Sequence, residues 1–233
     1  MREFLLEGIK KLNIEYTDEK INNCIKYLKL LTEYNAHTNL TALRDEKSII
    51  EKHFLDSLLL QNLIKKEFKK AIDIGTGAGF PGMVLAIFNP NIEFTLMDSI
   101  GKKTKFLDLV KERLELHNVT VVTSRAEDYI NDENRETYDL GLCRGVSKLG
   151  TILEYIIPFL KVSGEFLSQK MEGTGEEIEA ENALNILKSE ITETYNLQLP
   201  FSKDSRVVIR IKKTASNDKK YPRRAGIPLK RPL

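Results

Sequence analysis

The stretch that most restricts this chain is Asp73-Ile74-Gly75-Thr76-Gly77-Ala78-Gly79-Phe80-Pro81-Gly82. A β-prone run, Ala71 to Ile74, leads into it, and a helix-prone run from Met83 to Phe88 follows. Glycine lets a backbone turn sharply and come close to a ligand, and Pro81 suits a first helical turn. The same alternation continues downstream. Strands are expected at Ile92 to Asp98, Val119 to Thr123, Tyr138 to Cys143 and Gly164 to Met171. Helices are expected at Lys102 to Leu116, Leu149 to Leu160 and about Glu176 to Leu187. Strands alternating with helices predict an α/β fold with a doubly wound, mostly parallel sheet. Two closing β segments around Ile191 to Leu197 and Arg206 to Ile211 predict an antiparallel pair at one edge.

The first 65 residues are helical instead. Phe4, Leu5, Ile9 and Leu12 keep helical spacing, Thr17 suits an N-cap, and Ile21, Cys24, Ile25, Leu28 and Leu31 form one apolar stripe. A third helix is expected from about Asp45, carrying His53, Phe54 and Leu58, after an irregular piece over Asn35 to Thr41. The expected organisation is a helical cap over 1–65, an α/β domain over 66–214 and a basic tail over 215–233.

Two registers of the glycine loop compete. Gly77-x-Gly79-x-x-Gly82 fits a dinucleotide fingerprint, in which a pyrophosphate sits on the helix N-terminus. Asp73-x-Gly75-x-Gly77-x-Gly79 fits a ligand without phosphate and with cationic groups, because Asp73 stands at the strand end. Such a pattern is the first motif of S-adenosylmethionine-dependent methyltransferases. In either register an acid at the tip of the second strand takes ribose hydroxyls, and Asp98 is there. Glu127, after the third strand, is placed to meet an adenine amino group. No Lys-Ser or Lys-Thr follows the loop, which excludes a P-loop nucleotidase.

The 233 residues carry 36 Lys and Arg against 34 Asp and Glu, a net charge of +2. From Phe201 onward, however, eleven bases face two acids, so that end sums to +9. A polyanion partner and a merely solvated tail both explain it. Cys24 and Cys143 are far apart and His is scarce, which argues against a structural metal and for a reducing compartment. With no membrane-length apolar run and no leader-like start, the expectation is a cytoplasmic protein, acting as a monomer without metal.

The chain resembles the bacterial 16S ribosomal RNA guanine-N7 methyltransferases. The resemblance runs through Asn39-Leu40-Thr41, His53-Phe54-Leu55-Asp56-Ser57-Leu58, the glycine loop with its Phe80-Pro81-Gly82 extension, and Met97-Asp98-Ser99. It continues through Arg125-Ala126-Glu127, Arg144-Gly145-Val146, Lys170, Arg206 and Tyr221-Pro222-Arg223. It implies a class I, Rossmann-like fold, S-adenosylmethionine as cofactor, and 16S rRNA or a small-subunit precursor as partner. Family cofactor contacts carry over to Gly75, Phe80, Ala126, Glu127 and Arg144, beside Asp73, Gly77, Gly79 and Asp98 from the loop itself. One departure is Gly145, where the family often has Ala. A small-molecule methyltransferase and a non-catalytic RNA-binding or ribosome-assembly protein are the alternatives.

Arg144 and Asn39 are the catalytic candidates, Asn39 being equally suited to capping a turn. Lys102, Arg125, Lys170, Arg206 and Arg223 are the candidates for RNA backbone contact. His53, Asp56 and Ser57 are expected to pin the cap over the sheet. Tyr221 either stacks on a base or packs the tail down. Because the cofactor loops leave other strand ends, the tail is expected to leave cofactor affinity unchanged.

Overall fold

A computed structural model describes residues 1–171 and 175–233. Its sheet has seven strands: β1 Lys70–Ile74, β2 Glu93–Asp98, β3 Val119–Thr123, β4 Tyr138–Arg144, β5 Leu160–Met171, β6 Ser189–Gln198 and β7 Ser205–Lys213. They lie in the order β3-β2-β1-β4-β5-β7-β6. The β1–β2, β1–β4, β2–β3 and β4–β5 pairs are parallel. β7 runs antiparallel to both β5 and β6. The reversed strand therefore sits one place in from the edge, and the edge itself is β6.

Alternation along the strands feeds two cores. Ala71, Leu96, Leu140, Leu142, Leu167 and Val208 face one side, packing with the N-terminal helices. Ile72, Met97, Cys143, Phe166, Ile209 and Ile211 face the other, packing with the helix Leu149–Ile156 and with Tyr221. The period of two in a strand sends neighbours to opposite faces. The cap thus has no core of its own. Leu5, Ile9, Cys24, Leu28, Leu31 and Phe54 join the sheet's first face in one continuous cluster.

Thr17 does cap the helix Asp18–Thr38, its hydroxyl accepting from the Lys20 amide at 3.3 Å. That helix runs on to Thr38, so the irregular piece is shorter than the turn formers suggest. Asn39 ends it in the left-handed region at φ 52°. Asn35 lies inside the helix and is buried. Its amide donates to the Thr41 and Leu43 carbonyls and its oxygen accepts from the Thr41 amide, so it shapes the loop that follows. Asp45 caps the next helix through the Ser48 amide at 2.8 Å. That helix is composite, with α-helical Glu46–Ile49 and Asp56–Leu58 flanking a π-helical turn, Ile50–Leu55. π turns recur where a side chain must be re-aimed, and this one carries His53.

The glycine loop is the joint between cap and sheet. Tyr27 donates its hydroxyl to the Ala78 carbonyl and stacks on Phe80 at 5.4 Å. Gly79 stands at φ +99°, and a Cβ there would strike the Tyr27 hydroxyl and lie 2.9 Å from both Leu107 and Met83. Gly79→Ala combines overpacking with left-handed strain, and should cost about 2–4 kcal/mol. Thermal denaturation should show a drop of roughly 5–15 °C.

Candidate active site

Three loops leave the carboxyl ends of β1, β2 and β3, where doubly wound sheets bind ligands. Together with the end of β4 they enclose a cleft of about 390 Å³. Gly75, Asp98, Ala126 and Glu127 line it, with Lys103, Arg125, Val146 and Tyr155. Asp98 is 5% exposed, and its carboxylate accepts from the Gly77 amide, the Ile100 amide and the Lys103 ammonium at 3.0–3.2 Å. Gly145 stands at φ +67°, and a Cβ there would meet nothing within 4 Å, so this wall of the cleft is open.

Behind the loop, Asp73 is wholly buried. One carboxylate oxygen accepts the Gly82 amide, the first of the following helix, at 2.8 Å. The other oxygen, Oδ1, has no partner, and neither has the Thr76 hydroxyl. Burial pushes the Asp73 carboxyl up to about 6.

A second constellation joins the cap to the sheet. Arg144, last residue of β4, donates to Asp56 Oδ2 at 3.0 Å, the Lys52 carbonyl at 3.3 Å and His53 Nδ1 at 3.2 Å. Its guanidinium lies 5.6 Å from the centre of the Phe80 ring, on which His53 also stacks at 4.6 Å. Asp56 Oδ1 accepts from Arg206 Nε of β7 at 3.0 Å and from Gln169 Nε2 of β5 at 2.8 Å. His53 Nδ1 stands between the Arg144 guanidinium at 3.2 Å, which can only donate, and the Lys52 carbonyl at 3.0 Å, which can only accept. Nε2 pairs with the Thr41 hydroxyl at 2.7 Å, which can do either. Burial drives the imidazole down to about 4, so it stays neutral. Ser57 only back-bonds to the His53 carbonyl.

The residues singled out in the sequence therefore separate into groups. Gly75, Asp98, Ala126 and Glu127 come together at the cleft. Asp73, Gly77 and Gly79 shape the loop from behind, and Phe80 is buried among Tyr27, His53 and Phe54 rather than lining the cleft. Arg144 is held on the cap side. Asn39 is exposed and accepts from Arg44 at 2.6 Å, as a helix-ending residue. Of the RNA candidates, Arg125 is exposed. Lys102 closes the end of the helix Asp18–Thr38 through the Thr38 carbonyl. Lys170 is tied to Glu176 and the Ser147 carbonyl, Arg206 to Asp56, and Arg223 to the wholly buried Glu154. Those last three neutralise internal carboxylates, a use that charge counting does not reveal.

The tail is packed rather than draped loosely. Tyr221 is buried in the second core, Pro228 accepts from Thr151, and Gly226 donates its amide to Glu127 Oε1 at 3.1 Å. The tail thus reaches the loop after β3 that carries Glu127, although the strand ends alone suggested that it would not.

A family profile described as rRNA small subunit methyltransferase G matches residues 20–204. A Fusobacterium nucleatum protein named ribosomal RNA small subunit methyltransferase G is 60% identical across 100% of both chains. The chain belongs to this methyltransferase family. A protein of the same name from Alkaliphilus oremlandii is 44% identical over 100% of this chain and 99% of its own. A crystal structure of a SAM-dependent methyltransferase from Aquifex aeolicus superposes with a TM-score of 0.58 at 16% identity, over 76% of this chain and 98% of that one. That likeness shows the Rossmann-like class I fold. Among the described residues of the methyltransferase, no helix is long and apolar enough to cross a membrane.

Sequence reasoning missed Tyr155, which lines the cleft from an apolar helix, and Gln169, which steadies Asp56 from inside a strand. Neither has a local signal, since each acts only where the sheet brings distant segments together.

The two perturbed groups oppose each other. Asp73 has a folded value near 6 against 3.8 unperturbed, so its stabilising share is full in acid and lost as pH rises through 6. His53 lies near 4 against 6.5, so its share is present at neutral pH and lost as pH falls from 6.5 towards 4. Each is worth about 3 kcal/mol. Relative to wild type, Asp73→Asn should gain about 3 kcal/mol of stability between pH 4 and pH 7, while His53→Gln loses a similar amount. Urea unfolding at the two pH values measures both.

Proposed function

We propose that the cleft holds S-adenosylmethionine, with Asp98 taking the ribose hydroxyls and Ala126 and Glu127 the adenine, while Arg144 and the cap present the target base. One observation carries this reading over a dinucleotide. The amides that would cradle a pyrophosphate are already taken by carboxylates, Gly82 by Asp73 and Gly77 by Asp98. Two acids in that position repel phosphate and suit a ligand with an ammonium and a sulfonium. The apolar walls, from Ile74, Met97, Ile100 and Tyr155, suit a purine.

By its family, the enzyme methylates guanine N7 in 16S ribosomal RNA. S-adenosylmethionine, when bound, supplies an electrophilic methyl group. Guanine N7 has a lone pair, so no side chain of this protein has to remove a proton before attack. The work left to the protein is alignment and exclusion of water, which supply most of the barrier reduction in such a transfer. Arg144 suits the alignment because three cap groups and Phe80 fix its guanidinium. Its position at the end of β4, next to cleft-lining Gly145 and Val146, gives it reach towards a base lying across the cleft. Methylated guanine is cationic, and the Asp73 carboxylate, which has no cationic partner among the described residues, favours its formation. Asn39, on the exposed turn beside Thr41, is proposed to contact the RNA at the cap's edge.

RNA backbone contact is assigned to Arg125 and to the exposed tail bases Arg224, Lys230 and Arg231, which have no ion pair among the described residues. Lys170, Arg206 and Arg223 brace the fold beneath this surface through their carboxylate partners, and Lys102 lies exposed beside Thr38. The enzyme is proposed to work as a monomer in the cytoplasm.

S-adenosylmethionine at a hundred times its dissociation constant should stabilise the protein by about 2.7 kcal/mol. NAD should add nothing. A thermal shift with NAD alone would overturn the assignment of the cleft. Arg144→Lys cannot keep all three cap contacts, and should lower turnover about a hundredfold while leaving cofactor binding nearly intact. Transfer of labelled methyl to 16S rRNA, with strand cleavage at the modified guanine, checks both the chemistry and the base. Binding without transfer would identify a non-catalytic RNA-binding protein instead.

A further inference from the structure

The C-terminal segment climbs one face of the molecule from the amino ends of the strands to the ligand end. It starts where fully buried Lys213 donates to Glu136 and to the Ile157 carbonyl. It then follows the helix Leu149–Ile156 back towards that helix's first turn. Tyr221 enters the core, and Arg223 grips Glu154 with its backbone amide, Nε and Nη2 at 2.7–3.1 Å. The Arg223 Nη2 also ties down the Arg231 carbonyl at 2.7 Å, closing the last turn of the segment on itself. Thr151 donates to the Pro228 carbonyl. The segment ends beside Gly150, where a Cβ would lie 3.7 Å from the Leu233 carbonyl oxygen.

Glu154 has no exposed surface, and among the described residues every hydrogen bond its carboxylate accepts comes from Arg223. A buried carboxylate must be matched by well-placed donors, so the tail is anchored at this point rather than laid on loosely. The next residue on the same helix, Tyr155, lines the cofactor cleft. Beyond the anchor the chain turns at Gly226, φ +82°, and its amide meets Glu127 Oε1. No other hydrogen bond holds that carboxylate among the described residues.

We propose that Tyr221–Leu233 is a positioning element of the cofactor cleft: anchored by Arg223 on Glu154, it uses the Gly226 amide to fix Glu127 with Oε1 occupied and Oε2 left for the ligand. The proposal rests on the assignment of the cleft to S-adenosylmethionine. A free Glu127 carboxylate would sample several rotamers, and ordering it in advance removes that cost from binding. The sequence's basic tail thereby acts on the cofactor through a backbone amide, with the charge of Arg223 used for its anchor.

The test is calorimetric binding of S-adenosylhomocysteine to the full-length protein in a double-mutant cycle. Arg223→Ala should weaken binding about tenfold in the wild-type background but less than twofold in Glu127→Ala. Arg223→Lys should recover part of the loss. A purely structural tail would lower the melting temperature and weaken binding by the same factor in both backgrounds, and that result overturns the proposal. Gly226→Ala is the second variant, because a Cβ there meets nothing within 4 Å but strains the turn that presents the amide. It should weaken binding with Glu127 present and have no effect without it, at nearly unchanged melting temperature. Unchanged affinity in both tail variants also overturns the proposal. If the wild-type protein itself fails to bind S-adenosylhomocysteine, the fault lies in the assignment of the cleft.

Discussion

The site depends on one buried carboxylate. Asp56, 4% exposed, leaves the cap and is met by Arg144 from β4, Gln169 from β5 and Arg206 from β7. These three strands are neighbours or near neighbours at their ligand ends. A charge taken out of water is tolerable only when its partners are equally well placed. Asp56 therefore fixes the cap in one position on the sheet, and it fixes Arg144 with it. The carboxyl is still pushed above its usual range by burial, even with two guanidiniums pulling it down. Removing either arginine would leave that carboxylate short of compensation. Loss of the cap's position and loss of the site are thus one event.

Asp73 illustrates the opposite side of the balance. It is buried with one oxygen unpartnered, next to an equally unpartnered Thr76 hydroxyl. An asparagine could keep the Gly82 contact and donate to that hydroxyl, so stability alone would not select a carboxylate here. A group that costs stability where it stands points to function. The function supported by the geometry is negative charge beneath a cationic ligand, with the helix N-terminus already occupied. In the proposed reading, the same arrangement makes a loop that formally resembles a phosphate cradle unfavourable for phosphate, because the Gly77 and Gly82 amides already serve carboxylates.

The basic end shows how charge counting misleads. Four of its eleven bases, Arg206, Arg210, Lys213 and Arg223, serve Asp56, Glu165, Glu136 and Glu154 inside the fold. Those carboxylates lie 45 to 150 residues away in sequence. A polyelectrolyte reading assumes that charges face water, whereas these are the counter-ions of buried or half-buried carboxylates. Of the remaining bases, Arg224, Lys230 and Arg231 are exposed and have no ion pair among the described residues.

Local pattern alone determined the alternation of strands and helices, the Thr17 cap, the start of a helix near Asp45, and the convergence of Gly75, Asp98 and Glu127. These depend on neighbours a few residues apart, or on the rule that parallel strands end together. The end of the second helix was misjudged because Asn35 and Thr38 have turn-forming side chains, yet Asn35 spends its amide on holding the loop over Thr41. That contact exists only once the helix is packed. The placement of β7 inside the edge, the neutral state of His53, the withdrawal of Phe80 from the cleft and the anchoring of Arg223 were likewise decided by tertiary structure. Each depends on desolvation and on partners brought from distant segments, quantities that have no value until the chain has folded.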